Sequence, residues 1–152
     1  MLLAYAGFAV LSVALAIIDA RTHRLPNRLV LPAYPVLLLL LVLASAALGT
    51  NPALLTAVLA SVAVFVFFLL LRWAQPRGMG GGDVKLAAVV GLVLGYLGWD
   101  AVLWGVLAGF LSGGLYSVFL LSARRATRRT AIPFGPWMLL GAWLAIGAHA
   151  VL

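Results

Sequence analysis

The chain has no cysteine and no glutamate, and its 152 residues include only three acids, Asp19, Asp83 and Asp100. Without cysteine there is neither a disulfide framework nor a thiolate zinc site. The two histidines, His23 and His149, stand too far apart in sequence to give a metal-ligand spacing, so no metal site is expected. Charge is scarce altogether: 9% of residues are charged, against about a quarter in a soluble domain. Apolar residues fill the space, at 66% of the chain, and the mean hydropathy is +1.21. This composition excludes a soluble domain and describes an integral membrane protein. No internal repeat or low-complexity linker interrupts it, so residues 1–152 read as one domain.

Six apolar segments follow one another. They run from Leu2 to Ile18, Leu29 to Leu48, Ala53 to Leu71, Val84 to Gly98, Ala101 to Leu121 and Ile132 to Leu152. The expected fold is therefore all-α and polytopic, with six transmembrane helices. The first segment has no basic leader region and does not read as a cleaved signal peptide. Pro32 and Pro35 fall in the first turns of the second helix, where missing amide donors cost least. Thr50 or Asn51 is a candidate N-cap for the third helix, Asn27 for the second and Asp100 for the fifth. The fourth segment reaches roughly 22 Å at ~1.5 Å per residue, short of a ~30 Å hydrocarbon core. A short helix of this kind can start below the membrane surface and sink its N-terminal residue, Asp83, into a protein-lined cavity. Trp99 follows as an interfacial anchor.

All ten Lys and Arg lie in three loops: Arg21/Arg24/Arg28, Arg72/Arg77/Lys85 and Arg124/Arg125/Arg128/Arg129. Basic residues accumulate on the cytoplasmic side, so these loops are expected inside and both chain ends outside. This distribution accounts for every positive charge, and no nucleic-acid partner is expected. Arg124 to Arg129 suit a surface of anionic lipid.

Of the three acids, Asp100 is explained as a cap in an outer turn. Asp19 and Asp83 both fall at the inner ends of apolar segments, where an ionisable residue is costly and marks a candidate functional site. For Asp19, pairing with Arg21 or Arg24 is the structural alternative; for Asp83, capping a helix that follows Gly80, Gly81 and Gly82 is the alternative. Two carboxylates on one side of a membrane, in a chain with almost no others, suggest a pair. Close carboxylates share one proton, so that one takes a proton from water while the other donates to a carbonyl. The same acids also suit a small transporter or proton-relay subunit.

Three stretches resemble the signatures of the type IV prepilin peptidases. D-A-R-T-H-R-L-P-N, Asp19 to Asn27, is similar to the first, an aspartate followed after five residues by Leu-Pro-Asn. G-M-G-G-G-D-V-K-L, Gly78 to Leu86, resembles the second, the GxGD aspartate motif. I-P-F-G-P, Ile132 to Pro136, resembles the third. They occur in family order and frame nearly the whole chain. The resemblance implies an intramembrane-type aspartic endopeptidase with Asp19 and Asp83 as catalytic residues and no cofactor. Its substrates would be pilin-like precursors, cut after a leader glycine at the cytoplasmic face of the cell membrane. Longer family members carry a cytoplasmic extension with paired cysteines and also methylate the new N-terminus. This cysteine-free chain, apolar from Leu2, resembles the short, core-only members, and methylation with S-adenosylmethionine stays open.

Around the two acids, Gly80 and Gly82 would keep the backbone slim enough for an extended peptide or would form a plain loop into the helix. Lys85 would bias the pair's ionisation or reach lipid headgroups, the second being preferred because lysine snorkels. Pro26 and Asn27 would form the turn that aims the second helix. Pro133, Phe134, Gly135 and Pro136 would line the site or simply start the last helix. Gly105, Gly109, Gly113 and Gly114 fit close helix packing, and His149 has no assigned role.

Overall fold

The computed structural model describes residues 2–22, 25–75, 80–123 and 134–151. Among these residues the fold is six helices and no strand: α1 (Leu2–Thr22), α2 (Asn27–Leu48), α3 (Asn51–Ala74), α4 (Gly81–Gly95), α5 (Trp99–Ser122) and α6 (Gly135–Val151). Four of them, α1, α2, α3 and α5, are long and apolar enough to cross a membrane; α6 is apolar and shorter. The basic segment Arg124 to Arg129, with Arg24, His23, Arg77 and Pro133, lies outside the described residues.

α4 is the centre of the bundle. From Asp83 to Gly95 every residue except Lys85 is buried, and α4 packs against α2, α3, α5 and α6. A helix apolar all round with neighbours on all sides is a core helix, which is why 15 residues suffice. The long helices each bury one stripe instead. On α1 the stripe is Ala4, Phe8, Ser12, Leu15 and Asp19, spaced by three or four residues, so Asp19 faces inward as its last member. Their outward faces are leucine, valine and phenylalanine, as lipid requires.

Glycine brings the helices close. A Cβ added at Gly91 of α4 would stand 2.7 Å from the Ala60 carbonyl oxygen of α3, and one at Gly95 would stand 2.9 Å from Ala57 Cα. Ser61 Oγ of α3 donates to the Ala88 carbonyl at 2.8 Å. Gly105, Gly109 and Gly113 of α5 face Gly141, Met138 and Trp137 of α6 in the same way. These approaches supply the dispersion contacts that drive helix association in lipid. Gly114 departs from the expectation: it is exposed, and nothing stands within 4 Å of a Cβ added there. Gly91→Val therefore forces α3 and α4 apart at their backbones and costs roughly 3 kcal/mol, the upper end of overpacking penalties. A thermal melt in detergent measures this, with Gly114→Ala as the unaffected reference.

Several local expectations are corrected. α1 runs on to Thr22, so Asp19 sits inside its last turns, not after its end. α2 starts at Asn27, so Asn27 is its first helical residue; Pro26 holds the cap position, and no side chain caps the helix. Pro32 and Pro35 then fall well inside α2. Thr50 occupies the cap of α3 without a side-chain cap bond; its hydroxyl pairs with the Tyr96 hydroxyl at 2.8 Å. Trp99 opens α5 behind Gly98, whose φ of 141° suits glycine, and Asp100 lies in the first turn of the helix. Asp100 Oδ2 stands 3.9 Å from His149 Nδ1, joining the start of α5 to the end of α6.

Candidate active site

One end of the bundle gathers the ends of α1 and α3 and the beginnings of α2, α4 and α6. Asp19 enters it from the last turns of α1 and is 3% exposed; Asp83 enters it from the first turn of α4 and is 8% exposed. Asp83 lies within electrostatic reach of both the Asp19 carboxylate and the Arg72 guanidinium. Asp100, by contrast, belongs to the opposite end.

Asp83 owes its setting to the glycines before it. The Gly80 N–H donates to Asp83 Oδ2 at 3.0 Å, so the carboxylate reaches back across the first turn of α4. This is the acidic half of a capping box, and it satisfies an amide that the helix start would otherwise leave open. The capping alternative for Asp83 is thus part of the answer, realised from the third helical position. Gly81 carries Arg72 against it: a Cβ there would stand 2.6 Å from Nη1 and 3.3 Å from Cζ. Gly82 meets Leu25, whose Cβ would be 2.6 Å from an added Cβ. Each glycine therefore meets a different neighbour, and none of the three tolerates a side chain without displacement there, Gly80 at 3.2 Å from Asp83 Oδ2 being the loosest.

Asp19 is bordered by the start of α6. A Cβ at Gly135 would stand 2.6 Å from Asp19 Oδ2 and 3.6 Å from Leu25 Cδ1. Phe134 does two other things. Its carbonyl accepts the N–H groups of Trp137 and Met138, at 3.1 Å each, which starts α6. Its ring packs 5.0 Å from Phe110 and 5.9 Å from Phe68, tying α3 and α5 to this end. Pro136, half-buried, is the second residue of α6, where a missing amide costs nothing. Of the third stretch it is therefore Gly135 that borders an aspartate, while Pro133 lies outside the described residues.

Lys85 has a partner on α2. Its Nζ donates to Asn27 Oδ1 at 2.9 Å, and the Tyr34 hydroxyl donates to the Lys85 carbonyl oxygen. Both bonds fasten the start of α4 to α2 just beyond Asp83. Pro26 stands with extended backbone, φ −71° and ψ 126°, and its carbonyl accepts the N–H groups of Leu29 and Val30. The structure thus brings Asp19, Asp83, Gly80, Gly82, Gly135, Pro26, Asn27 and Lys85 to one end. Two residues of this end carry no site assignment from the sequence: Tyr34 and Arg72. Arg72 is explained by the positive-inside rule, and an isolated tyrosine in an apolar chain carries no signal; Leu25 is legible only as a member of the Leu-Pro-Asn stretch. Among the described residues no group of three His, Cys, Asp or Glu stands together.

The chain matches the type IV leader peptidase family over residues 6–118. It is 35% identical over 138 residues to a prepilin leader peptidase/N-methyltransferase of Pseudomonas aeruginosa, covering 88% of this chain and 45% of that protein. A protein of the same name from Aeromonas salmonicida is 34% identical over 139 residues, with the same shares. One from Bacillus subtilis is 29% identical over 138 residues, covering 91% of this chain and 52% of the relative. The chain spans about half the length of the curated relatives it matches. No solved structure matches it. With a family match over residues 6–118 and relatives similar across most of its length, the chain belongs to the type IV leader peptidase family.

Proposed function

We propose that the chain is an aspartic endopeptidase that removes the leader of type IV pilin-like precursors, with Asp19 and Asp83 as its catalytic pair. The observation that carries this reading is the burial of both carboxylates at one end of the bundle, within electrostatic reach of each other. The names of the relatives supply the substrate class. With one proton shared between the two carboxyl groups, the ionised one takes a proton from a water molecule. The water oxygen bonds to the scissile carbonyl carbon, while the protonated carboxyl gives its proton to the carbonyl oxygen. The tetrahedral intermediate then breaks its C–N bond, the departing amine takes up the proton held by the first carboxylate, and the second recovers its own from the collapsing hydroxyl. No covalent enzyme intermediate is needed.

The remaining assignments belong to the same reading. Residues 1–152 form one membrane-embedded domain. Gly80 and Gly82 keep the backbone at the start of α4 low, giving an extended peptide access to the carboxylates. Pro26, Asn27, Lys85, Phe134, Gly135 and Pro136 shape the site, and Pro133 is assigned with them from its motif. The three basic loops face the cytoplasm against anionic lipid, which puts the pair at the cytoplasmic face of the cell membrane and both chain ends outside.

The test is cleavage of a pilin-like precursor by the purified chain in liposomes, with the new N-terminus read by mass spectrometry across pH. The expected product begins after the leader glycine, and the rate profile is bell-shaped. On the acid side both carboxyl groups hold protons and the base is lost; on the alkaline side both are ionised and the acid is lost. The two apparent constants belong to the pair and not to either residue. A flat profile from acid to neutral pH, or no cleavage of several such precursors by a folded chain, overturns the reading.

A further inference from the structure

We propose that Leu25 is a positioning residue for the carboxylate pair, its side chain setting the gap between the start of α4, which bears Asp83, and the start of α6, against which the Asp19 carboxylate stands. The proposal rests on the reading of that pair as catalytic. Contacts from both sides converge on this one side chain. A Cβ at Gly82, the residue before Asp83, would stand 2.6 Å from Leu25 Cβ and 3.3 Å from Cγ and Cδ1. A Cβ at Gly135 would stand 3.6 Å from Leu25 Cδ1 and 2.6 Å from Asp19 Oδ2. Leu25 therefore lies between two stretches of side-chain-free backbone, on α4 next to Asp83 and at the start of α6 next to the Asp19 carboxylate. Because both faces are glycine, the width of one leucine determines the gap between them.

The backbone that follows Leu25 is stiff. Pro26 follows it with a ring-fixed φ, and the Pro26 carbonyl is held by the N–H groups of Leu29 and Val30. Leu25 also packs against the buried core, so its position is tied to α1, α2 and the interior together. Leucine neither donates nor accepts a proton, so any effect it has on hydrolysis is geometric.

The absence of cysteine makes a direct ruler available. In an Asp19→Cys/Asp83→Cys chain, bis-methanethiosulfonate reagents of graded length report the separation of the two positions without any cleavage. Leu25→Val is expected to shift the fastest cross-linking to a shorter reagent and Leu25→Phe to a longer one. In the aspartate-bearing chain both are expected to lower kcat on the order of 10²-fold with KM unchanged, since a displacement near 1 Å costs about that much. Leu25→Met, which keeps the volume, is expected to restore both readouts. Leu41→Ala, at a fully buried leucine farther along α2, should lower the melting temperature and leave the preferred reagent length unchanged. The same preferred length in every Leu25 variant would overturn the proposal, as would a kcat loss that merely tracks melting temperature. If the wild-type chain cleaves no precursor, the proposed function fails while the cross-linking result still decides whether Leu25 sets the separation.

Discussion

Asp19→Asn and Asp83→Asn are each expected to abolish leader cleavage, by on the order of 10³-fold or more, while the protein stays folded in the membrane. An asparagine keeps the shape of each side chain and removes the carboxylate that takes or gives the proton. At Asp83 the amide oxygen of asparagine still accepts the Gly80 N–H, so the first turn of α4 keeps its cap. At Asp19, 3% exposed, a neutral isostere replaces an ionisable group in a desolvated place, which does not cost the fold its packing. Because the two groups act as one unit, the double variant is no slower than either single one. Asp100→Asn, at the opposite end beside His149, keeps full activity. Cleavage by gel and mass spectrometry, paired with thermal melts, separates these outcomes. Wild-type cleavage by either Asp19→Asn or Asp83→Asn would remove the pair from the mechanism.

Burial and electrostatic proximity of the two acids came from packing that no local pattern encodes. In a soluble helix an apolar stripe names the inward face. Here lipid and core are equally apolar, and that signal vanishes. Nothing in Leu2 to Thr22 distinguishes the stripe through Phe8, Leu15 and Asp19 from the exposed Val10, Val13 and Ile17. The acid itself was the legible part, because its cost in an apolar segment singles it out. The short fourth helix was legible for a related reason: its length is inadequate for a lipid-facing span and adequate for a core one.

The polar residues beside the acids were legible in location and not in partner. Lysine in an apolar chain suggests a headgroup, yet Lys85 meets Asn27, 58 residues away in sequence, because α2 and α4 start side by side. Asn27 suggests a cap, yet the rigid backbone of Pro26 already opens α2 and frees the carboxamide for Lys85. Arg72 reads as one more cytoplasmic charge, but it lies against Gly81 two residues before Asp83. Each surprise is a contact between segments far apart in the chain. The glycines were a partial exception: Gly105, Gly109 and Gly113 pack where small residues let helices approach, as their type alone suggests, while Gly114 of the same helix meets nothing.

Gly135→Ala carries the second large expected effect, a loss of activity on the order of 10²-fold with little loss of stability. The added Cβ would stand 2.6 Å from Asp19 Oδ2, where ordinary contact begins near 3.4 Å, so something must yield by about 0.8 Å. Either the Asp19 carboxylate turns away or the start of α6 withdraws. The first moves a reacting group directly, and the second loosens Leu25 between Gly135 and Gly82. Both misplace the pair by a distance large enough to matter for a step that needs aligned atoms. Stability changes little where the carboxylate yields, because the atom met is the far end of the Asp19 side chain, which can turn without opening the Phe68–Phe110–Phe134 cluster. Gly114→Ala separates this from any general intolerance of alanine for glycine, since its Cβ meets open space inside α5 and alanine suits a helix better. Gly80→Ala, with its Cβ 3.2 Å from Asp83 Oδ2 on an exposed loop, falls between the two. A ranking of Gly135, Gly80 and Gly114 by kcat, in that order of damage, would tie activity to crowding of the carboxylates. Full activity in Gly135→Ala would mean that Asp19 does not need the position it holds.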